Sequence, residues 1–403
     1  MNLGVVKMIN RPEYLEELIS FKDKDLIKVI TGIRRCGKST LFDLYIEYLL
    51  KNGVEDDQII RINLEDADYD FIKNYKDLYN YIKNKLNPNK KNYVFLDEVQ
   101  RVNEFEKACD SLYIKKNVDL YITGSNAYLL SGELATFLSG RYVEIKMLPL
   151  SFKEYISYVG DTDLSRKYTD YITKSSFPYT LSLNSTKDIR TYLEGIYTSI
   201  LVKDISTRKS ITDMGMLDSV IKYMFDIVGN VCSSTNIANT LTSVGKKISV
   251  PTVESYLNAL VDAFVLYKVS RYDIKGKQYL TSGVKYYLSD IGLRYYLLGS
   301  KKADEGHILE NIVYLELKRR GYEIYIGKVD DKEVDFICIN ELGIEYYQVA
   351  YTVRDEKTLE RELNSLESIN DHNPKYLLTM DNTPYTSHNG IKQINVLDWL
   401  LNK

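Results

Sequence analysis

Cysteine is scarce. The chain of 403 residues has four, Cys36, Cys109, Cys232 and Cys338, and none lies in a C-x-x-C pair. That pattern suggests neither a disulfide framework nor a zinc site. Histidine is scarcer still, and His307, His372 and His388 show no metal-ligand spacing. No apolar run reaches the roughly 18 residues that a membrane span needs, so no membrane partner is expected. The N-terminal stretch lacks the apolar core and small-residue cleavage site of a secretory signal. A reduced, cytoplasmic location is therefore the expectation. Positive charge is not in excess either. Lys and Arg total 53 against 56 Asp and Glu, a net charge of −3, which is unlike an obligate nucleic-acid binder. Repeats and low-complexity tracts are also missing.

The chain does have an ordinary hydrophobic fraction, 44%, and length for two to three domains at about 100–200 residues each. Near its start it reads "ITGIRRCGKST", Ile30–Thr40. Gly32 is followed by four residues and then Gly37-Lys38-Ser39, the spacing of a phosphate loop. A β-branched run, "LIKVIT", precedes it, and a helical pattern with Leu41, Leu44, Tyr45, Tyr48 and Leu49 on one face follows. Strand, glycine loop, helix is the context in which backbone N–H groups converge on phosphate at a helix N-terminus. Gly32, Gly37, Lys38, Ser39 and Thr40 form the expected nucleotide-binding set. Lys38 is expected on the β- and γ-phosphates and Ser39 on magnesium. Arg34 and Arg35 either add positive field near the phosphates, are solvated, or pair with acidic side chains. Cys36, beside them, is expected to be a thiol of lowered pKa that oxidises readily.

More apolar runs recur at Ile59–Leu64, Tyr93–Leu96, Leu120–Thr123 and Tyr142–Ile145, separated by helical stretches. Such alternation predicts a parallel sheet wrapped by helices. Two of these runs end in polar tips. "YVFLDEVQ" presents Asp97, expected to hold Mg²⁺ through water, and Glu98, expected to polarise the attacking water. "LYITGSNAYLL" presents Ser125 and Asn126, either of which can hydrogen-bond a γ-phosphate or that water. Arg141, in "FLSGRYVEI", is a candidate for neutralising charge on its own or a neighbour's γ-phosphate, or else a surface ion pair.

Together, "VITGIRRCGKSTL", "VFLDEVQ", "ITGSNAYLL" and "LSGRYVEIKMLPLSFKEY" resemble the AAA+-type ATPase domain of a large group of prokaryotic ATPases. Those proteins are usually fused to a C-terminal domain of unknown function. "YLEGIYTSILVKDISTR", "KYYLSDIGLRYYL" and "GHILENIVYLELKRRGYEIYIGK" resemble the later parts of that fusion. The resemblance implies a sheet of order 5-1-4-3-2, ATP with Mg²⁺, and the usual roles for Lys38, Ser39, Asp97, Glu98, Ser125–Asn126 and Arg141. It also implies a homo-oligomer where a neighbour's arginine completes the site.

The expected fold class is α/β: a P-loop core over 1–150 and a helical lid over 151–208, then a winged helix over 209–300 and a nuclease-like α/β unit over 301–403. The winged helix rests on the order helix, turn, helix, ribbon. Its second helix, Val250–Asp262, has no Lys or Arg and carries Glu254 and Asp262. An unidentified protein partner or packing against another domain of the chain is therefore favoured over DNA, although Lys246, Lys247, Arg271, Lys275 and Lys277 lie nearby. In the last unit, Glu310, Asp335 and the tripeptide Gln348-Val349-Ala350 follow the layout of restriction-endonuclease-like folds. Glutamine and alanine stand where that chemistry needs an anionic ligand and a lysine. Glu345 falls on the opposite strand face, and Lys357 is the candidate for a migrated lysine. The expected activity is ATP hydrolysis that drives the appended units. The alternatives are a slow nucleotide switch and a DNA-binding or nuclease-linked ATPase.

Overall fold

A computed structural model describes residues 8–125, 140–200, 205–206, 211–299, 305–383 and 386–402. The chain divides into two units, with the short stretches 177–182 and 262–264 counting with the first, Met1–Pro149.

In the first unit α1 (Pro12–Ser20) leads into β1 (Ile27–Thr31), α2 (Lys38–Lys51), β2 (Ile59–Asn63), α3 (Tyr75–Lys85), β3 (Asn92–Asp97), α4 (Phe105–Tyr113), β4 (Val118–Gly124) and β5 (Tyr142–Lys146). The strands pair in parallel in the order β2-β3-β4-β1-β5, the 5-1-4-3-2 order that the resemblance implies. The three central strands are buried at every position because helices cover both faces. Alternation sorts their side chains. Val29, Val94, Leu96, Leu120 and Ile122 meet Leu78 and Ile82 of α3 and Leu112 of α4. Phe95 and Tyr121 face the other way, stacked at 4.8 Å, and pack on Phe42 and Tyr45 of α2.

The second unit opens with α5 (Phe152–Val159), α6 (Leu164–Lys174), α7 (Thr186–Ser199), α8 (Met214–Asp226), α9 (Ser234–Ser243) and α10 (Val250–Asp262). Ser233 caps α9 through its side chain. There follow β6 (Leu266–Asp273), β7 (Gln278–Leu288), α11 (Ile291–Leu298), α12 (Glu305–Arg319), β8 (Glu323–Val329), β9 (Lys332–Asn340), β10 (Gly343–Ala350), α13 (Glu356–Glu367), β11 (Lys375–Thr379), β12 (Thr386–His388), β13 (Ile391–Asn395) and α14 (Val396–Leu400).

Here the structure departs from the expectation of a separate wing. The β6–β7 ribbon does turn at the Lys-Gly-Lys stretch, but β6 also pairs in parallel with β8, from Arg271 opposite Ile326 to Asp273 opposite Lys328. Both ribbon strands thus belong to one eight-stranded sheet of order β12-β13-β11-β10-β9-β8-β6-β7. The physical reason is that a free β6 edge would leave backbone groups unpaired, and β8 satisfies them.

The "LSDIGL" stretch is architectural. Asp290 caps α11 at the Leu293 N–H and accepts hydrogen bonds from Ser175 and Ser176. A Cβ on Gly292 would sit 2.3 Å from Cα of Ser175, so only glycine permits that approach.

Candidate nucleotide-binding site

The glycine loop joins β1 to α2. Gly32 has φ 148° and Gly37 φ 105°, in the left-handed region that glycine favours. A Cβ on Gly32 would lie 2.1 Å from the Met147 carbonyl oxygen, so the first glycine is dictated by a close backbone approach as well. Lys38 opens α2 and is buried, its Nζ donating to the carbonyls of Gly32 (3.0 Å) and Ile33 (3.3 Å). Ser39 and Thr40 are exposed in the first turn of α2, where N–H groups have no intrahelical acceptor. Arg11 braces the loop from outside, donating to the Cys36 carbonyl at 3.0 Å and the Leu148 carbonyl at 2.7 Å.

Parallel pairing brings the ends of β1, β3 and β4 to one edge. Asp97, at the tip of β3, is buried and accepts from the Thr123 hydroxyl. That hydroxyl in turn accepts the Glu98 N–H at 3.0 Å. Glu98 has left-handed backbone angles, φ 53° and ψ 47°. Its carboxylate accepts from the Ser125 hydroxyl on one oxygen and from Gln100 Nε2, 2.6 Å away, on the other. Burial alone would push the Glu98 carboxyl up. The Lys38 charge, the Ser125 and Gln100 hydrogen bonds and the Arg34 charge outweigh burial and hold it below the usual range. Lys38, Asp97, Glu98 and Ser125 are thus gathered at one edge. Asn126 lies outside the described residues.

Arg141 is not brought to this edge. Its carbonyl accepts the N–H of Ile27, at the start of β1, whereas the glycine loop follows Thr31 at the far end. Four residue rises separate those ends, roughly 13 Å. The side chain pairs with Asp110 of α4 and lies over the Tyr113 ring. Action of Arg141 on its own γ-phosphate is therefore excluded by strand polarity.

Cys36 corrects another expectation. It is fully buried, and burial pushes its thiol up, outweighing the lowering by Lys38 and Arg11. Arg34 pairs with Glu65 at 3.0 Å, and Arg101 pairs with the same oxygen at 2.9 Å. Sequence reasoning left Thr123, Gln100, Arg101 and Glu65 without roles. Gln100 closes the quoted "YVFLDEVQ" stretch, two positions past Glu98, and that was its only signal.

The second unit has a buried charged centre. Asp335 on β9 accepts the Val349 N–H of β10 at 2.8 Å, and the Gln348 amide oxygen accepts the Asp335 N–H at 3.2 Å. Gln348 donates to Glu362 of α13. The cation here is Lys285 of β7, not Lys357, which is exposed on α13. Lys285 Nζ lies 2.9 Å from Glu310 and 2.7 Å from Glu333. The Tyr287 hydroxyl also donates to Glu310. Among the described residues no group of three or more His, Cys, Asp or Glu is placed to hold a metal.

Burial and the neighbouring Glu310 charge push the Asp335 carboxyl well up. An acid whose pKa rises on folding binds more protons folded than unfolded, so its contribution falls as pH climbs above the unfolded value. Asp335→Asn, which keeps the acceptor for Val349, should therefore gain stability relative to wild type between about pH 5 and about pH 8. Denaturant midpoints of both proteins across that range check it, and a difference that stays flat or shrinks with pH would refute the assignment.

Residues 24–156 match an AAA domain, and residues 165–304 match a domain of unknown function, DUF8612. An uncharacterized protein of Haemophilus influenzae is 42% identical over 98% of this chain and 99% of its own length. An uncharacterized protein of Methanocaldococcus jannaschii is 31% identical over 85% of this chain and 78% of its own. The chain belongs to the family these two proteins represent, and its N-terminal part is an AAA+-type P-loop ATPase domain. Among solved structures, a Walker-type ATPase of Pyrococcus abyssi aligns with TM-score 0.49 and 16% identity over 72% of this chain and 96% of that one. Cdc6p of Pyrobaculum aerophilum aligns with TM-score 0.31 and 13% identity over 78% and 97%.

Proposed function

We propose that the chain binds ATP at the glycine loop and hydrolyses it, and that turnover drives a change in the second unit. The observation that carries this reading is the gathering of Lys38, Asp97, Glu98 and Ser125 at the edge where α2 begins. The donor set fits a hard divalent cation: the Ser39 hydroxyl and the Asp97 carboxylate would hold Mg²⁺, which supplies charge neutralisation on the phosphates. Lys38 would leave the Gly32 and Ile33 carbonyls for phosphate oxygens. Glu98 would take the proton of the water that attacks the γ-phosphorus, as the bond from that phosphorus to the ADP oxygen breaks. Ser125 would orient the same carboxylate. Phosphate release by the full chain, with Mg²⁺ and with chelator, tests the reading. No Mg-dependent release in either single-turnover or steady-state form would refute it. A single turnover without steady-state release would favour the slow-switch alternative.

For Arg141 the remaining role is on a neighbouring copy. If that is its role, the chain assembles with ATP and Arg141→Ala lowers kcat while leaving nucleotide binding intact. Sedimentation with and without ATP, paired with turnover of Arg141→Ala, checks this. A monomer with full activity in that variant would assign the arginine to its Asp110 ion pair alone. The α8–α10 helices and the ribbon are proposed as a protein-binding element, because α10 presents Glu254, Ser255 and Asn258 rather than cations.

A further inference from the structure

The run between α8 and α9, Gly229–Ser233, lies beside β7, at the edge of the eight-stranded sheet. The Gly229 N–H donates to the Tyr286 carbonyl at 3.3 Å. Cys232 and Val284 exchange both backbone hydrogen bonds, at 2.9 and 3.2 Å. The sheet edge thus gains one short antiparallel run. Gly283 permits the approach, since a Cβ there would lie 3.0 Å from a methyl of Val231. Backbone groups of neighbouring residues in such a run alternate in direction. Those of Cys232 face β7, so those of Val231 face outward. Among the described residues the Val231 N–H and C=O make no hydrogen bond.

A groove of about 400 Å³ lies along this run, within the range of about 300–1,000 Å³ typical of ligand sites. Val231 and Cys232 line it together with Tyr223 and Ile227 at the end of α8 and Asn236 and Asn239 of α9. No lining residue carries a charge. Asn236 and Asn239 are three positions apart, so they share a helix face. Both are exposed, and among the described residues neither side-chain amide is hydrogen-bonded. A side-chain amide offers a donor and an acceptor, the same pair that a peptide unit offers. Open sheet edges are ordinarily guarded by charged side chains or proline. Gly229–Ser233 contains neither.

We propose that an extended, uncharged segment of a partner protein docks here, adding a strand along Val231 and lodging one apolar side chain against Val231 and Ile227. The inference rests on the protein-binding reading of α8–α10 above and gives that reading a site. The Val231 N–H donates to a carbonyl of the segment, and the Val231 C=O accepts one of its N–H groups. Asn236 and Asn239 bond its remaining peptide units. A helical ligand satisfies its own backbone and leaves Val231 unmet. A nucleic acid brings phosphates to a groove that holds no cation. A charged segment finds no counter-charge there.

The test pans the full chain against a phage library of short random peptides and titrates synthetic copies of the selected peptides by fluorescence anisotropy. The selected peptides should share an uncharged stretch with one apolar anchor. Val231→Pro removes an N–H that has no partner within the fold. Asn236→Ala with Asn239→Ala changes two exposed positions and serves as the second variant should Val231→Pro fail to fold, which circular dichroism reports. Each is expected to weaken binding by about tenfold or more. Methylating the peptide nitrogens one at a time should weaken binding at every second position, which only strand addition predicts. No selected peptide, binding indifferent to the variants, or a methylation pattern without that period overturns the groove. Peptides lost with Glu254→Ala and Asn258→Ala but not with the groove variants overturn the groove and leave the protein-binding reading standing. No selected peptide, together with salt-dependent retention on duplex DNA that is lost with Lys246→Ala and Lys247→Ala, overturns both.

Discussion

Lys38→Ala is expected to abolish ATP binding, and Glu98→Gln to preserve binding while lowering kcat by about 10²- to 10⁴-fold. The two residues sit on the same sheet edge but act on different quantities. Lys38 is the buried cation at the head of α2, and among the described residues its ammonium has the Gly32 and Ile33 carbonyls to leave. Removing it takes away the charge that would face the phosphates. Glutamine at position 98 keeps the shape, one carbonyl acceptor for Ser125 and a place beside Gln100, but it cannot take a proton. Titration with a fluorescent ATP analogue and steady-state phosphate release separate the effects. Equal turnover in wild type and Glu98→Gln would remove Glu98 from the chemistry. Unchanged affinity in Lys38→Ala would remove the glycine loop from nucleotide binding.

The parts of this site that were legible in the sequence are the local ones. Gly32 and Gly37 carry unusual backbone angles that few residues other than glycine accept, so their spacing announces the loop before any tertiary contact is known. The apolar runs ending at Asp97 and near Ser125 announce strand tips. For Arg141 the sequence left a neighbour's γ-phosphate, its own and a surface ion pair open, and the choice against its own turns on a feature also present in the sequence. It precedes its strand, and in a parallel sheet a residue before a strand lies at the end opposite the one that bears the loop. Cys36 shows neighbouring charge losing to burial: Lys38 and Arg11 lower its thiol, yet full burial raises it more. The β6–β8 pairing and the Arg34–Glu65–Arg101 link join residues distant along the chain, and no periodicity reports such pairs.

Lys285 is the clearest case of non-local information, and its removal carries the largest stability effect expected in the second unit. It stands in the apolar run Val284–Leu288, where a lysine looks like a solvent-facing position. The strand instead buries it, between Glu310 of α12 and Glu333 of β9. Burial disfavours its charge, and the charges of Glu310, Asp335 and Glu333 overcome that and push its pKa up. The Glu310 carboxyl shows the reciprocal effect: burial would raise it, and Lys285, with His307 and Tyr287, holds it down. Each member is tolerated inside because the other is there. Lys285→Met should therefore cost about 3–5 kcal/mol, since it strands the Glu310 carboxylate in a low-dielectric interior. Adding Glu310→Gln to that variant should restore much of the loss, because the stranded charge is removed with its partner. A double-mutant cycle by denaturant unfolding measures the coupling. Additive single losses, or a Lys285→Met protein within about 1 kcal/mol of wild type, would mean that the pair is solvated and the centre is not the closed, internally neutralised one seen here.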